Sequence, residues 1–343
     1  MTKKDTGHPP ETGIFSTYII YDNISEITIV IPLINFDNAL PSGKMPLVLG
    51  LGVFDGVHRG HQKIISKLVE MADRCGALPA AVTFFPHPRQ VLHPENPPPL
   101  LMPLEERCRL LRAAGAQRVG VITFDASFAE ISAEDFLALL CREYPVAGIC
   151  VGSRWRFGRN GAGDQKLIRR FAEEKEIEFF PCQEVLVNGE IASSSAIRRS
   201  TAAGYLDHAR QMLGRPVRLY GKIAHGNQIA GSLLKAPTAN MEVSCGVLPP
   251  DGVYSGRVKL NDILYPAAVN IGFSPTFQGR KRRVEAHVSG FSGSLYGEEL
   301  TLELLHFIRP ERGFESHEKL MAQIKMDVER VRNDFEQEKE IFA

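Results

Sequence analysis

A chain of 343 residues with 44% hydrophobic and 23% charged side chains is long and apolar enough to build two or three domains around real cores, which excludes a disordered or fibrous protein. Lys plus Arg and Asp plus Glu both number 40, so there is no global basic field and nucleic acid is not expected as a partner. Six scattered cysteines without a Cys-x-x-Cys pair argue against a zinc ribbon or a disulfide framework and fit a reducing cytoplasm, and the apolar run 27–34 is too short to cross a bilayer.

Residues 1–17 carry prolines, glycines and mixed polar side chains and read as a loose tail. A strand is expected over 27–31. The apolar run Leu47-Val48-Leu49 is followed by the string Gly52-Val53-Phe54-Asp55-Gly56-Val57-His58-Arg59-Gly60-His61. Apolar residues at 64, 65, 68, 71, 72 and 75 then predict a helix over 62–75, stopped by Gly76. Strands are expected over 80–85, 118–124 and 148–151, with helices over 104–114 and 133–143, the last opened by Ser132 and Asp135. The proline-rich stretch 92–99 is irregular. An Asn188-Gly189 turn predicts a hairpin over 185–191, and Ser193-Ser194-Ser195 opens a further helix. Another short helix falls at 206–213. Strands alternating with helices imply parallel βαβ units in a doubly wound sheet.

Beyond Pro216 the pattern changes. Strand-like runs at 217–223, 252–260, 264–271, 283–288 and 299–307 suggest an antiparallel barrel. Apolar residues at 320, 324, 328, 331 and 335 give an amphipathic C-terminal helix capped at Ser316. The expected domains are 18–214 and 215–343.

The string 52–61 is a strand, a glycine-rich turn and a helix N-terminus. That arrangement offers unpaired N–H groups and a positive dipole end to an anion. His58 and His61, three apart, share one face of the turn and can both donate to phosphoryl oxygens. A zinc pair would need further ligands nearby, which the sequence does not offer.

Three more strings accompany it in order: Thr83-Phe84-Phe85-Pro86-His87-Pro88, Val151-Gly152-Ser153-Arg154-Trp155-Arg156-Phe157-Gly158, and Ser194-Ser195-Ala196-Ile197-Arg198. Together they resemble the adenylyltransferase half of the bacterial bifunctional riboflavin kinase/FMN adenylyltransferases, a branch of the His-x-Gly-His nucleotidyltransferases. The second half is similar to the kinase of that family through Gly221-Lys222-Ile223-Ala224-His225-Gly226, Ala236-Pro237-Thr238-Ala239-Asn240 and Val284-Glu285-Ala286-His287. The resemblance implies an α/β nucleotidyltransferase domain followed by a riboflavin-kinase-like β-barrel with a C-terminal helix. It implies transfer of AMP from ATP to FMN, giving FAD and pyrophosphate.

By match to the family, His58, His61 and Arg198 are the catalytic residues of the first site. Gly52, Phe54, Asp55, Gly56, Gly60, Ser194 and Ser195 would hold ATP. Phe85, Pro86, His87, Pro88, Trp155 and Phe157 would hold the flavin. Asp55 has a second reading as a turn-stabilising aspartate. In the barrel, Glu285 would be the base of the kinase-like site, and Thr238 and Asn240 would bind ATP with Mg²⁺. The expected partners are therefore small-molecule flavins and ATP, with no membrane, in a monomer or weak homo-oligomer.

The chain departs from the family at Arg154, Trp155 and Phe85, and more seriously at Lys235-Ala236, where the family usually has Gly-Phe. That exchange is expected to weaken the kinase. Three alternatives stay open: a fully bifunctional enzyme, a related nucleotidyltransferase acting on another acceptor, and a flavin-binding regulator without catalysis.

Overall fold

The apolar runs that precede each glycine-rich turn become the strands of one sheet. The computed structural model describes residues 33–37, 45–224, 238–276, 279–293 and 295–342. The expected tail, the strand at 27–31 and the pair Lys235-Ala236 lie outside these residues. Asn35–Phe36 (β1), Leu47–Leu51 (β2), Leu78–Phe85 (β3), Arg118–Thr123 (β4), Val146–Gly152 (β5) and Glu178–Cys182 (β6) lie in the order β1-β4-β3-β2-β5-β6. β1 runs antiparallel to β4, and the other pairs are parallel. All of β2 and all of β3 except Phe85 is buried, as central strands covered on both faces must be.

The first helices are Arg59–Cys75 (α1), Pro88–Leu92 (α2), Leu104–Ala113 (α3), Ala126–Ala129 (α4), Ala133–Glu143 (α5) and Gln165–Lys175 (α6). α1 lays Ile64, Ile65, Leu68 and Met71 on the sheet and ends at Gly76 in the left-handed conformation. Ser132 caps α5 by accepting from Asp135 N–H at 3.0 Å. α6 and β6 fill the stretch after Gly152, with Ile168 and Ala172 of α6 buried. Leu186–Val187 (β7) and Glu190–Ile191 (β8) form the expected hairpin. Its turn residues Asn188 and Gly189 both have positive φ, 51° and 81°. Ser194–Ala202 (α7) and Leu206–Leu213 (α8) follow.

Val217–Ala224 (β9), Thr238–Cys245 (β10), Gly252–Leu260 (β11), Ile263–Thr276 (β12), Gly279–Val288 (β13) and Glu299–Arg309 (β14) close into a barrel. Its order is β10-β13-β12-β11-β14-β9. Every pairing in it is antiparallel. His317–Phe342 (α9) closes the chain, with Lys319 N–H on Ser316 Oγ at 3.3 Å.

Residues on both sides of position 214 share one core. Leu101, Ile197, Ala209, Met212 and Leu213 belong to the same apolar cluster as Leu219, Val258 and Leu302 of the barrel. α7 and α8 therefore pack on the barrel although they precede it in the chain. Polar ties run beside this core. Glu106 of α3 accepts from Arg218 of β9 at 2.6 Å, and Arg218 also pairs with Glu303 of β14 at 2.6 Å. Arg210 of α8 grips Glu338 of α9 at 2.7 Å. Among the described residues, no helix is long and apolar enough to cross a membrane.

Candidate active site

Two helix N-termini meet at the carboxyl end of β2, the side on which ligands bind in open α/β sheets. His58 caps α1 and Ser193 caps α7, accepting from Ala196 N–H at 3.2 Å. The two ends are tied to one another. Ser194 Oγ donates to the Asp55 carbonyl at 2.7 Å. Gly60 lies so near the chain entering α7 that a Cβ would stand 3.3 Å from Ala192 O and 3.1 Å from the His58 ring. A side chain at 60 would crowd both, so glycine eases the close approach of the two helix starts. The junction aims two sets of free N–H groups and two dipole ends at one place, which suits phosphate.

Asp55 is buried and accepts from Leu101 N–H at 3.1 Å and from Arg198 Nη2. Arg198 Nε donates to Pro99 O at 2.6 Å. Asp55 thus fastens the turn to the segment 99–101 and to α7, in keeping with its turn-stabilising reading, and touches neither histidine. Burial pushes the Asp55 carboxyl upward, opposed by the Arg198 and Arg107 guanidiniums. Arg198 points at Asp55. Ser195 stands in the first turn of α7, exposed.

The rings of His58 and His61 stack with centroids 3.6 Å apart. Phe54 is fully buried and meets the His61 ring edge-on at 5.2 Å. His58 Nδ1 accepts from His61 N–H at 3.4 Å, so it carries no proton there. His61 Nδ1 is buried without a partner among the described residues. Burial, then the charges of Arg215 and Arg198, lower the His58 pKa to about 3. Burial and the neighbouring His58 hold His61 well below the usual histidine range. Both rings are neutral at pH 7, and each keeps one N–H to donate.

The remaining expected residues divide. His87 is the N-cap of α2, accepting from Arg89 N–H at 3.1 Å, and Pro88 is the first residue of that helix. Burial first, then Arg198 and Arg107, lower the His87 pKa to about 4. Trp155 and Phe157 stack at 4.6 Å with only 10° between their planes. They line a cavity of about 550 Å³ whose walls include Val53, Phe84, Pro88 and Phe128. Phe85 is 41% exposed and does not line this cavity, contrary to expectation; its neighbour Phe84 does. Strand alternation sends the two side chains to opposite faces. Pro86 and His87 also stay off the cavity wall. Arg154 reaches away to Glu184 at 2.7 Å.

In the barrel, Asn240 of β10 stands directly opposite Glu285 of β13, and Glu285 opposite Asn270 of β12. Asn240 and Glu285 are both half-buried. Asn240 also borders a cavity of about 1340 Å³ between the barrel and α3. The Thr238 backbone pairs with His287; its side chain lies outside the described set. Among the described residues, no cluster of three or more His, Cys, Asp or Glu side chains could hold a metal. Oxygen donors of the Asn240 type suit Mg²⁺, which takes few protein ligands and completes its shell with phosphate and water.

The buried histidines make stability pH-dependent. His58, His61 and His87 have folded pKa values below the ordinary 6.5. The folded state therefore binds fewer protons than the unfolded chain below pH 6.5, and stability falls as pH drops from there toward 4. Each histidine should cost about 1.4 kcal/mol per pH unit in that window. Urea midpoints at pH 7 and pH 5 check this; equal midpoints would mean the rings are not buried neutral.

The parallel sheet with its His-x-Gly-His turn, followed by a closed barrel, defines a nucleotidyltransferase joined to a riboflavin-kinase-type barrel. A family model described as FAD synthetase matches residues 41–196, and one described as riboflavin kinase matches 213–335. The bifunctional riboflavin kinase/FMN adenylyltransferases of Pseudomonas fluorescens and Escherichia coli are each 34% identical, over 82% of this chain and 90% of theirs. A solved structure described as a macrolide-efflux protein from Streptococcus pneumoniae shares the fold, with a TM-score of 0.77 at 28% identity over 87% of this chain and 96% of its own. The chain belongs to the bifunctional riboflavin kinase/FMN adenylyltransferase family.

Proposed function

We propose that this chain transfers AMP from ATP to FMN. The observation that carries the reading is the stacked, neutral His58–His61 pair at the meeting of two helix N-termini. A phosphate oxygen of FMN attacks the α-phosphorus of ATP. A new phosphorus–oxygen bond forms, the bond to the β-phosphate bridge breaks, and pyrophosphate leaves with the electron pair. Little covalent work falls on the protein, so alignment and charge stabilisation dominate. His58 and His61 donate to the reacting phosphates. Ser194, Ser195 and the α7 N-terminus hold the leaving pyrophosphate, and Arg198 turns to it from Asp55. The isoalloxazine ring enters the Trp155–Phe157 cavity, whose flat apolar walls suit it. Mg²⁺ bound with the ATP phosphates would supply neutralisation of their charge. Incubating the purified chain with FMN and ATP should yield FAD and pyrophosphate one for one. FAD without pyrophosphate, or neither product, would refute the reading.

The barrel is a kinase-like site of low activity. Glu285 would take the riboflavin 5′-hydroxyl proton, and Thr238 and Asn240 would hold Mg²⁺ and ATP. The Asn240–Glu285 pairing supports an intact strand framework. The weakness comes from Lys235-Ala236 in place of Gly-Phe. A lysine where glycine served close backbone approach, and a lost aromatic, both act against an ordered phosphate loop. Riboflavin phosphorylation should be slow in the natural chain and rise roughly 10- to 100-fold in Lys235→Gly/Ala236→Phe. Rapid FMN formation by the unaltered chain would contradict this.

A further inference from the structure

The turn that delivers His58 is an unusual one. Phe54, Gly56 and Val57 have φ of 53°, 90° and 35°. Val57 is β-branched, a residue type for which positive φ is a true outlier. Such a conformation persists only where its surroundings over-determine it. Two side chains supply that constraint. Arg215 Nη2 donates to Gly56 O at 2.6 Å, and its Nη1 donates to Val57 O and to Leu213 O, each at 3.2 Å. Gln62 Nε2 bridges the same pair of carbonyls, Val57 O at 2.9 Å and Leu213 O at 3.0 Å. The turn is thereby bolted to the C-terminal end of α8.

Arg215 and its acceptors Gly56 O and Val57 O lie in different halves of the molecule, whereas Leu213 O lies in the donor's own half. The FAD synthetase match ends at residue 196 and the riboflavin kinase match begins at 213. Arg215, one residue from the start of the barrel at Pro216-Val217, thus reaches back 159 positions to Gly56. From this geometry we propose that Arg215 is a positioning residue for adenylyl transfer, supplied by the barrel half to hold the turn that aims His58 and His61. The proposal rests on the adenylyl-transfer reading above and deepens it. Arg215 does not line the Trp155–Phe157 cavity, so it acts on the alignment of the phosphates and leaves the flavin's seat alone. Misplacement of reacting groups by about 1 Å is enough to cost about 100-fold in rate.

The test uses the full chain and steady-state FAD formation from FMN and ATP. Arg215→Ala should lower kcat about 10- to 100-fold while the KM for FMN and the stoichiometry of FMN binding stay unchanged. Arg215→Lys, which keeps one cationic donor, should fall between the two. Gln62→Ala should lower kcat in the same way and to a smaller extent. Wild-type kcat in Arg215→Ala would overturn the proposal. So would a loss of kcat matched by an equal loss of FMN-binding protein, with Arg215→Lys no better than Arg215→Ala, since that pattern means unfolding only. Should Arg215→Ala prove insoluble, Arg215→Lys and Gln62→Ala decide: reduced kcat at constant KM supports the role, and unchanged kcat in both overturns it. An unaltered chain that makes no FAD is a different result, one that removes the functional reading itself.

Discussion

His61→Ala should lower FAD formation about 100- to 1,000-fold, the scale of losing one donor to a charge that develops in the transition state. The substitution is structurally mild. His61 lies in the first turn of α1, and its main-chain N–H, which bonds His58 Nδ1, survives. What disappears is a ring wedged between the His58 face at 3.6 Å and the Phe54 edge at 5.2 Å. Its Nδ1 has no hydrogen-bond partner among the described residues, so little in the fold depends on it. The circular dichroism spectrum should therefore be unchanged. Near-normal FAD output from this variant would show that the histidine stack serves packing alone.

Arg107→Met should destabilise the protein by about 3 kcal/mol or more. Arg107 is fully buried. Its Nη1 donates to Val53 O at 3.1 Å, Thr83 Oγ1 at 3.2 Å and Phe84 O at 3.1 Å. Methionine keeps most of the apolar stem but leaves these buried acceptors short of a donor, and each such loss costs about 1–3 kcal/mol. Asp55 loses a favourable charge as well. Val53 and Phe84 both line the aromatic cavity, so the same change should loosen the proposed seat of the flavin ring. The denaturation midpoint checks the first effect. An unchanged midpoint would mean that relief from burying the cation outweighs the lost hydrogen bonds.

Arg107 also shows where reading the sequence stops. The 104–113 segment has a clear helical period, but an arginine among Glu105, Glu106 and Arg109 looks like a solvated residue. Nothing local says that it turns inward beneath β3. The turn at 52–61 was legible because its signal is local: three glycines and two histidines within ten residues, directly after a strand. Which of Phe84 and Phe85 lines the cavity was not legible, for the opposite reason. Both faces of β3 are buried, so no alternation of polar and apolar residues marks which face looks into the cavity. Neighbouring Phe84 and Phe85 could not be told apart by type. Phe124 and Phe128 line the cavity too, and they went unnoticed because a core phenylalanine and a cavity phenylalanine look alike in a sequence. Arg215 depended on a contact across 159 positions. The change of strand spacing beyond Pro216 is visible in the sequence. The shared core of α7, α8 and the barrel is not, because amphipathic helices do not declare which neighbour they cover.

The account turns on one claim, that AMP passes from ATP to FMN at the His58–His61 turn. The most direct measurement follows the phosphorus. With FMN and ATP labelled at the α-phosphate, the label should appear in FAD, and with ATP labelled at the γ-phosphate it should appear only in pyrophosphate. His61→Ala should show neither transfer at a comparable rate. FAD that forms without the α-label, or α-label that is released as free AMP while FMN stays unchanged, would contradict the account.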